Sequence, residues 1–355
     1  MNGFATLFWL IPCLVCQPVG FRTAQPGYGF QFPRDHGSHP DFATEWWYFT
    51  GHLWTADGQH RYGYQLTFFR KALPAGTWKG SPAWRTDQIH LAHAALTDVS
   101  AGRFTTEERL NRQGLPAAAA EGRLDLRNAS WTAAGSGSRI RLSFSVQDAS
   151  LELDLEAATP PVIFGENGVS RKGADPAAAS HYVTLPRLAT TGTLRRGGRE
   201  QSVRGQSWMD HEFSSTQLAP GQVGWDWAGI QLQDGRSLMV YRLRGADGAQ
   251  DPWSTLSEVS AAGVRTRSTR DFRLTGGRWK SPGSGASYPL PLRLEAWGQS
   301  WTLEPLVADQ ELRTRQGAGI TYWEGACAVR DGQGAPAGDA YVELTGYAHS
   351  MQGRF

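Results

Sequence analysis

A duplicated hairpin pattern limits the folds open to this chain more than any other feature. The first copy runs through Asp35-His36, Trp46-Trp47, Asp57-Gly58 and Tyr64-Gln65-Leu66. The second runs through Asp210-His211, Trp225, Trp227, Asp234-Gly235 and Tyr241-Arg242-Leu243. The spacing from Asp-Gly to Tyr-x-Leu is identical, and the copies lie about half a chain length apart. Because Asp-Gly between strands marks a tight turn, we predict two related domains, each opening with Asp-His and containing a Trp-rich hairpin.

Alternation of apolar and polar residues is the dominant local pattern. Apolar and polar residues alternate strictly over 139–146 and 151–155, which is typical of strands with one solvent-exposed face. The chain has 42 Gly and 19 Pro, so turns are frequent, and no amphipathic helix longer than three turns is predicted. This favours an all-β protein of barrels or sandwiches. Gly197-Gly198 places the domain boundary near residue 200, giving domains 22–199 and 200–355.

The N-terminal segment predicts export. Residues 1–21 carry no charged side chain, and the apolar run 4–16 is too short to span a bilayer comfortably. We interpret 1–21 as a signal peptide, with a buried N-terminal strand as the alternative. Lipidation of Cys16 is a second alternative, disfavoured by Val15. Cys13 and Cys16 would then leave the mature chain, so Cys327 has no disulfide partner.

Composition excludes some function classes and favours others. A net charge of +2 without a basic block gives no electrostatic case for nucleic acid. The 15 Trp, 15 Phe and 10 Tyr exceed what two small cores need, which favours an apolar-ligand site. No Gly-x-Ser-x-Gly elbow, nucleotide loop or Cys pair outside the leader is present. We therefore predict no cofactor and no metal, and leave membrane-surface association and oligomeric state open.

The first candidate cluster lies between Asp35 and Tyr48. His36 and His39 have the spacing of metal ligands, but no matching third ligand follows at close range, so ordinary hydrogen bonding is favoured. Glu45 begins an aromatic strand. If its side chain points inward, desolvation raises its pKa and makes it a candidate general acid. The alternative, held equal, is pairing with an Arg or capping of a turn.

The second candidate cluster is the segment 208–213. Adjacent strand residues face opposite sides, so Asp210 and Glu212 share one face while His211 and Phe213 share the other. We expect the pocket on the His211 face, because an aromatic residue accompanies the imidazole. A structural role between the domains is the alternative.

Two further strands supply candidate pocket residues. Trp225 and Trp227 share one face, with Asp226 on the other, and the surplus of aromatics favours a pocket over a plain core. His90 and His93 face opposite sides, so at most one of them lines a cavity.

Several of these segments resemble a known family. Residues 35–51, 93–98, 180–182, 208–213 and 341–347 are similar to the signature of the family that joins AttH-like proteins to hydroxyneurosporene synthase, the carotenoid 1,2-hydratase. The resemblance implies two lipocalin-like antiparallel β-barrel domains packed together. In the hydratase branch, a His-x-Trp and a Tyr-x-Asp complete the site. The matching positions are His211-x-Phe213 and Tyr241-x-Leu243, so Leu stands where that branch has its acid.

We accordingly predict an exported protein that binds an elongated apolar molecule, such as an isoprenoid, an acyl chain or a polyketide. It would act as a hydratase or hydrolase, with a non-catalytic periplasmic lipid carrier or envelope chaperone as the alternative. The predicted catalytic residues are His211, Asp210, Glu45 and Tyr241. The predicted substrate-binding residues are Trp46, Trp47, Tyr48, Phe213, Trp225 and Trp227.

Overall fold

The computed structural model describes residues 20–74, 86–316 and 319–354. Within these ranges the chain forms one short 3₁₀ helix, Arg34–His36, and twenty-five strands. All but two of those strands belong to two large antiparallel sheets. The predicted all-β class is therefore confirmed. The predicted signal peptide and Cys16 lie outside the described residues, apart from positions 20 and 21.

The first sheet contains thirteen strands and curls into a barrel-like domain, in which β3 and β4 contact β8 across the interior. Its strands are β1 (Thr44–Thr55), β2 (Arg61–Ala72), β3 (Gln88–Asp98), β4 (Arg103–Arg112), β5 (Ala117–Ala119), β6 (Asp125–Asn128), β7 (Trp131–Ser136), β8 (Arg139–Val146), β9 (Ala149–Ala157), β10 (Val162–Ile163), β11 (Ser170–Arg171), β12 (Ala179–Arg196) and β13 (Arg199–Ser214). Their order is β4-β3-β2-β1-β13-β12-β9-β8-β7-β6-β5, with β10 and β11 also paired to β12.

The second sheet contains ten strands and forms the other barrel-like domain. Strands of the C-terminal part are β14 (Gln222–Leu232), β15 (Ser237–Gly245), β16 (Thr255–Val259), β17 (Arg265–Thr269), β18 (Arg273–Gly276), β19 (Trp279–Lys280), β20 (Ser287–Tyr288), β21 (Leu292–Ala296), β22 (Gln299–Pro305), β23 (Glu311–Arg313), β24 (Thr321–Asp331) and β25 (Pro336–Leu344). The sheet order is β17-β16-β15-β14-β25-β24-β22-β21-β18, with β23 on β24, while β19 and β20 form a separate ribbon.

Both duplicated hairpins are present. The β1–β2 turn contains Asp57-Gly58 and the β14–β15 turn contains Asp234-Gly235. Their glycines have φ of 71° and 91°, a left-handed conformation that favours Gly. The repeat therefore reflects one equivalent hairpin in each barrel.

The Asp-His half of the repeat does not follow this symmetry. The strand β13, which carries Asp210-His211, pairs with β1 from Thr44↔Ser214 to Thr55↔Val203 and so belongs to the first barrel. The chain passes to the second sheet only between Ser214 and Gln222. The interpretation that Asp210-His211 opens the second domain is thus corrected, and position 200 falls in the β12–β13 hairpin.

Alternation along β1 divides its side chains between two environments. Trp47, Phe49 and Leu53 enter the core of the first barrel. Trp46 and Tyr48 point the other way and join an aromatic cluster shared with the second barrel. That shared cluster lies where the two sheets face each other. No helix of the described residues is long and apolar enough to cross a membrane.

Candidate active site between the two barrels

A cavity of about 280 Å³ lies between the two sheets. Most of its wall is apolar and aromatic, with a few ionisable groups set into it. Side chains that line it include Thr44, Trp46, Tyr48, Thr67, Phe69, Lys71, Ile89, Leu91, His93, Leu110, Tyr182, Asp210, Glu212, Trp225, Trp227, Tyr241, Tyr322 and Glu343. We call this space the inter-barrel cavity. Ligand sites commonly combine an apolar wall with a few convergent polar groups.

The first barrel builds its side of the cavity from three successive rungs of paired residues. A rung is a set of residues that pair across neighbouring strands. The outer rung contains Thr44, Lys71 and Ile89. The middle rung contains Trp46, Phe69, Leu91 and Glu212, and the inner rung contains Tyr48, Thr67, His93 and Asp210. Lys71 and Ile89 are partly exposed, whereas the inner rung is buried. The outer rung is therefore the mouth and the inner rung the floor.

Asp210 is the buried acid at the floor. Tyr182 donates to its Oδ2 at 2.6 Å, and the Trp208 indole donates to its Oδ1 at 2.7 Å. Burial raises the pKa of Asp210 to about 7, although these hydrogen bonds oppose the shift. A carboxyl group with such a pKa holds a proton near neutrality and can donate it.

Glu343 supplies a second acid from the facing sheet. Its carboxylate accepts a hydrogen bond from the Trp225 indole at 2.6 Å. Burial raises the pKa of Glu343 to about 7, and the charges of Asp210 and Glu212 add to the shift. Two carboxyl groups from opposite walls therefore titrate in the same range inside an aromatic cavity.

Glu212 occupies the middle rung and has a counter-charge. The Lys172 ammonium contacts it directly, and both residues are almost fully buried. The same ammonium donates to the Tyr241 hydroxyl at 3.1 Å and lies 4.3 Å from the centre of that ring. Lys172 thus joins β13 to β15 of the other barrel and neutralises Glu212.

The floor of the inter-barrel cavity also connects to buried groups behind it. His93 Nδ1 lies 2.8 Å from the Tyr322 hydroxyl, and burial lowers the pKa of His93 to about 4, so its imidazole is neutral. Tyr48 donates to Glu324 at 2.5 Å. Burial, with the charge of Glu343 adding to it, raises the pKa of Glu324 well above the usual range. Burial at and behind the floor therefore favours the neutral forms of these side chains.

Glu45 lies outside this cavity, on the opposite face of β1. His211 Nε2 and His39 Nδ1 lie 2.9 and 2.8 Å from its Oε1, while Arg70 and Ser38 donate to its Oε2 at 2.9 and 3.0 Å. Burial alone would raise the pKa of Glu45, but the hydrogen bonds from both imidazoles and the Arg70 charge hold it well below the usual range. Of the two alternatives held equal for Glu45, the raised pKa is therefore wrong, and pairing with an Arg is what the structure contains.

The same Glu45 cluster is the one described group with metal-ligand geometry. Ligand-capable atoms of His39, Glu45 and His211 lie within 4.8 Å of one another. His39 also contacts Asp35 at 3.3 Å through Nε2. Burial opposes protonation of His39, but hydrogen bonds to Asp35 and Glu45 outweigh it and raise its pKa. These hydrogen bonds to two carboxylates place His39 in an ion-pair network.

A model of the family described as AttH-like matches residues 23–347. The chain belongs to the AttH-like family. The family resemblance predicted from the motifs is thereby confirmed. A protein from Nitrosomonas europaea assigned to AttH has a crystal structure with a TM-score of 0.83 to this one, at 35% identity, covering 92% of this chain and 100% of that chain.

Two more distant structures share the fold of this AttH-like protein. Kievitone hydratase from Nectria haematococca has a TM-score of 0.69 at 15% identity, covering 88% of this chain and 92% of its own. CghA has a TM-score of 0.52 at 15% identity, covering 95% and 96%. The predicted lipocalin-like architecture is confirmed by these similarities. A search of curated protein sequences finds no significant match.

The AttH-like fold separates the predicted site residues into two groups. Asp210, Tyr241, Trp46, Tyr48, Trp225 and Trp227 line the inter-barrel cavity. Glu45, His211, Trp47 and Phe213 do not; Trp47 stacks on His211 with ring centres 4.7 Å apart, and Phe213 stacks on His39 at 3.7 Å. The pocket expected on the His211 face thus lies on the Asp210 face, because that face of β13 meets the second sheet.

Sequence reasoning missed several residues that line the cavity or lie beside it in this AttH-like protein. Glu343 follows the apolar run Ala340-Tyr341-Val342 and precedes Leu344, and a carboxylate in such a run is a signal for a buried functional group. Tyr182, Lys172 and Tyr322 lie far from Asp210 in the chain. No local pattern links them, because the contacts come from sheet pairing and from the packing of the barrels.

Proposed function

We propose that this protein binds a small apolar molecule between its barrels and adds water across a carbon–carbon double bond. The observation that carries the proposal is the pair Asp210 and Glu343. Their pKa values are both raised to about 7 within an aromatic wall. An acid for such a hydration must be protonated near neutrality and sheltered from bulk water.

The chemistry follows from the positions of these groups. Protonated Asp210 gives its proton to one alkene carbon, and the π electron pair forms the new C–H bond. The cation left on the neighbouring carbon faces the rings of Trp225 and Trp227, which attract positive charge. Water attacks this cation, and its surplus proton passes to the Asp210 carboxylate. One water is added and the Asp210 acid is restored.

The comparisons support the reaction class only through the fold. Kievitone hydratase is a hydratase by name and shares the two-barrel architecture. Because its identity to this chain is 15%, no residue role is transferred from it. The reaction proposed here rests on Asp210 and Glu343 of this chain.

Labelled water tests the reaction. We would incubate the purified protein with a lipid extract in water enriched in heavy oxygen and search for products carrying one labelled hydroxyl. We expect labelled product from the wild type and from Asp234→Asn, an exposed control. Asp210→Asn should lower its yield about 100-fold or more, the usual contribution of a general acid. Full yield from Asp210→Asn would refute the role of Asp210.

One observation favours a carrier as the second candidate. Leu243 is fully buried at the position where the resemblance places an acid, and His211 faces away from the cavity. A carrier would retain its ligand without chemistry. In that case, mass spectrometry of the purified protein would detect one apolar molecule, and no labelled hydroxyl would form with any variant.

We also propose that the protein is exported. The support is the uncharged, apolar N-terminal segment of the sequence. Fractionation of cells should recover the mature chain outside the cytoplasm, with an N-terminus near residue 22. A cytoplasmic pool of uncleaved chain would contradict this proposal.

A further inference from the structure

The mouth of the inter-barrel cavity contains a cation, Lys71, that has no acid partner among the described residues. Lys71 lines the outer rung beside Thr44 and Ile89. Within the described ranges no hydrogen bond or ion pair engages its ammonium group. The sequence outside the described ranges contains no Asp or Glu side chain. Burial lowers the pKa of Lys71, as expected for an ammonium that loses water without gaining a counter-charge.

The acids of the cavity do not serve as that partner. Asp210 receives hydrogen bonds from Tyr182 and Trp208, and Glu343 receives one from Trp225. Glu212 is paired with Lys172. Each of these acids is thus engaged by a donor at the floor or on the middle rung, and none of them pairs with Lys71.

An anionic ligand group would supply the missing partner. A half-buried ammonium loses hydration free energy unless hydrogen bonds replace the lost water. A carboxylate can replace it with charge-assisted hydrogen bonds. The wall around Lys71 is apolar, with Ile89, Leu91 and Leu110 on neighbouring strands. A ligand that satisfies both features is an amphiphile with a carboxylate at one end.

The strand geometry sets the length of such a ligand. Lys71 and Asp210 lie on the outer and inner rungs, four residues apart along the strands, which corresponds to about 13 Å. The volume of about 280 Å³ is at the lower end of ligand cavities, which span roughly 300–1,000 Å³. A medium chain fits these limits, whereas a long isoprenoid could place only one end inside.

We infer that the ligand class of this site is a medium-chain unsaturated carboxylic acid, bound with its carboxylate at Lys71 and its double bond beside Asp210. This inference rests on the proposed function, because it assumes that the inter-barrel cavity is the ligand site. It adds the polarity and the length of the ligand.

Matched amphiphiles test the inference. The probes are decanoate and 1-decanol, which share one chain and differ in charge at pH 7. Each displaces N-phenyl-1-naphthylamine, a neutral fluorescent molecule, from the cavity. We expect the wild type to bind decanoate about tenfold more tightly than decanol, the effect of one charge-assisted hydrogen bond. Lys71→Met should remove this preference and leave decanol affinity within about twofold, whereas exposed Lys280→Met should change neither.

The outcomes separate this inference from the proposed function. If the naphthylamine binds but the wild type does not distinguish decanoate from decanol, the carboxylate inference is overturned and the apolar site stands. Equal weakening of both probes by Lys71→Met also overturns it. If none of the three molecules binds, the proposed function fails together with the inference. The comparison of decanoate with 1-decanol uses the wild-type protein, so it does not depend on whether a variant folds.

Discussion

Glu45 and Asp210 are both buried acids of the first barrel, yet their pKa values shift in opposite directions. Glu45 is approached by Arg70 and two imidazoles, which favour its charged form. The donors to Asp210, which include Tyr182 and Trp208, are neutral, so burial dominates and favours its protonated form. Burial therefore does not decide the role of an acid by itself, because the charge of its neighbours decides the sign of the shift.

The raised pKa of Asp210 predicts how stability depends on pH. The folded state prefers the protonated acid. The contribution of Asp210 to the free energy of unfolding is therefore fully present below about pH 3.8 and is lost as the pH rises through about 7. Between pH 5 and pH 8 the free energy of unfolding of the wild type should fall by about 2 kcal/mol more than that of Asp210→Asn. Urea denaturation at both pH values measures the difference. An identical pH dependence in the two proteins would show that Asp210 is ionised when folded.

The Glu45 cluster predicts a large cost for removing its cation. Arg70 and Glu45 are both fully buried, and the Arg70 guanidinium also donates to the carbonyls of His39 and Phe42. Arg70→Met should lower the free energy of unfolding by about 3 kcal/mol, because it leaves the carboxylate less compensated. Arg141→Met is the matched control, since Arg141 pairs with Glu152 at the exposed surface. That change should cost less than about 1 kcal/mol in the same urea titration.

At the level of strands, alternation assigns each side chain of β1 to the barrel core or to the other barrel. The contact between β2 and β24 depends on small residues, because a Cβ on Gly63 would lie 2.5 Å from the Ala326 Cβ. Such a distance is well inside van der Waals contact, and neither atom belongs to a flexible side chain. The close approach of these strands therefore requires a glycine at one of the two positions.

This contact predicts a compensating pair of substitutions. Gly63→Ala should destabilise the protein by about 2 kcal/mol through overpacking. Adding Ala326→Gly removes the opposing methyl group and should restore most of that loss, as measured in a double-mutant cycle. Gly29→Ala, at an exposed position with no atom within 4 Å of the added Cβ, should be nearly neutral. Additive losses in the double variant would contradict direct packing between Gly63 and Ala326.

For the whole molecule, the aromatic cluster between the sheets joins two barrels into one unit. Tyr48, Tyr182 and Trp208 of the first barrel pack with Trp227 and Tyr341 of the second in that cluster. Either barrel alone would expose these rings to water, at a cost proportional to the apolar area uncovered.

We therefore expect one cooperative unfolding transition. Differential scanning calorimetry should give a calorimetric enthalpy equal to the van't Hoff enthalpy, and tryptophan fluorescence and circular dichroism should report the same midpoint. Two resolved transitions would mean that the barrels unfold independently and that the aromatic cluster contributes little to their association.

Much of the architecture was predictable because its signals are local. Alternation with period two identifies strands, and Asp57-Gly58 and Asp234-Gly235 identify equivalent hairpins, so the all-β class and the duplication follow from neighbouring residues. Alternation also separates Asp210 from His211 correctly. It cannot tell which of the two faces meets a cavity, because that depends on what packs against each face.

The sequence by itself therefore determined the strand content, the two equivalent hairpins and the family resemblance. It also determined that the chain is rich in the aromatic residues from which a ligand site can be built. Only the tertiary structure decided that β13 belongs to the first barrel and that the cavity lies on its Asp210 face. It also paired Lys172 with Glu212, brought Glu343 to the opposite wall of the cavity and paired Glu45 with Arg70. The physical reason is range: strand formation depends on residues a few positions apart, whereas desolvation and charge pairing depend on distant segments brought together by sheet packing.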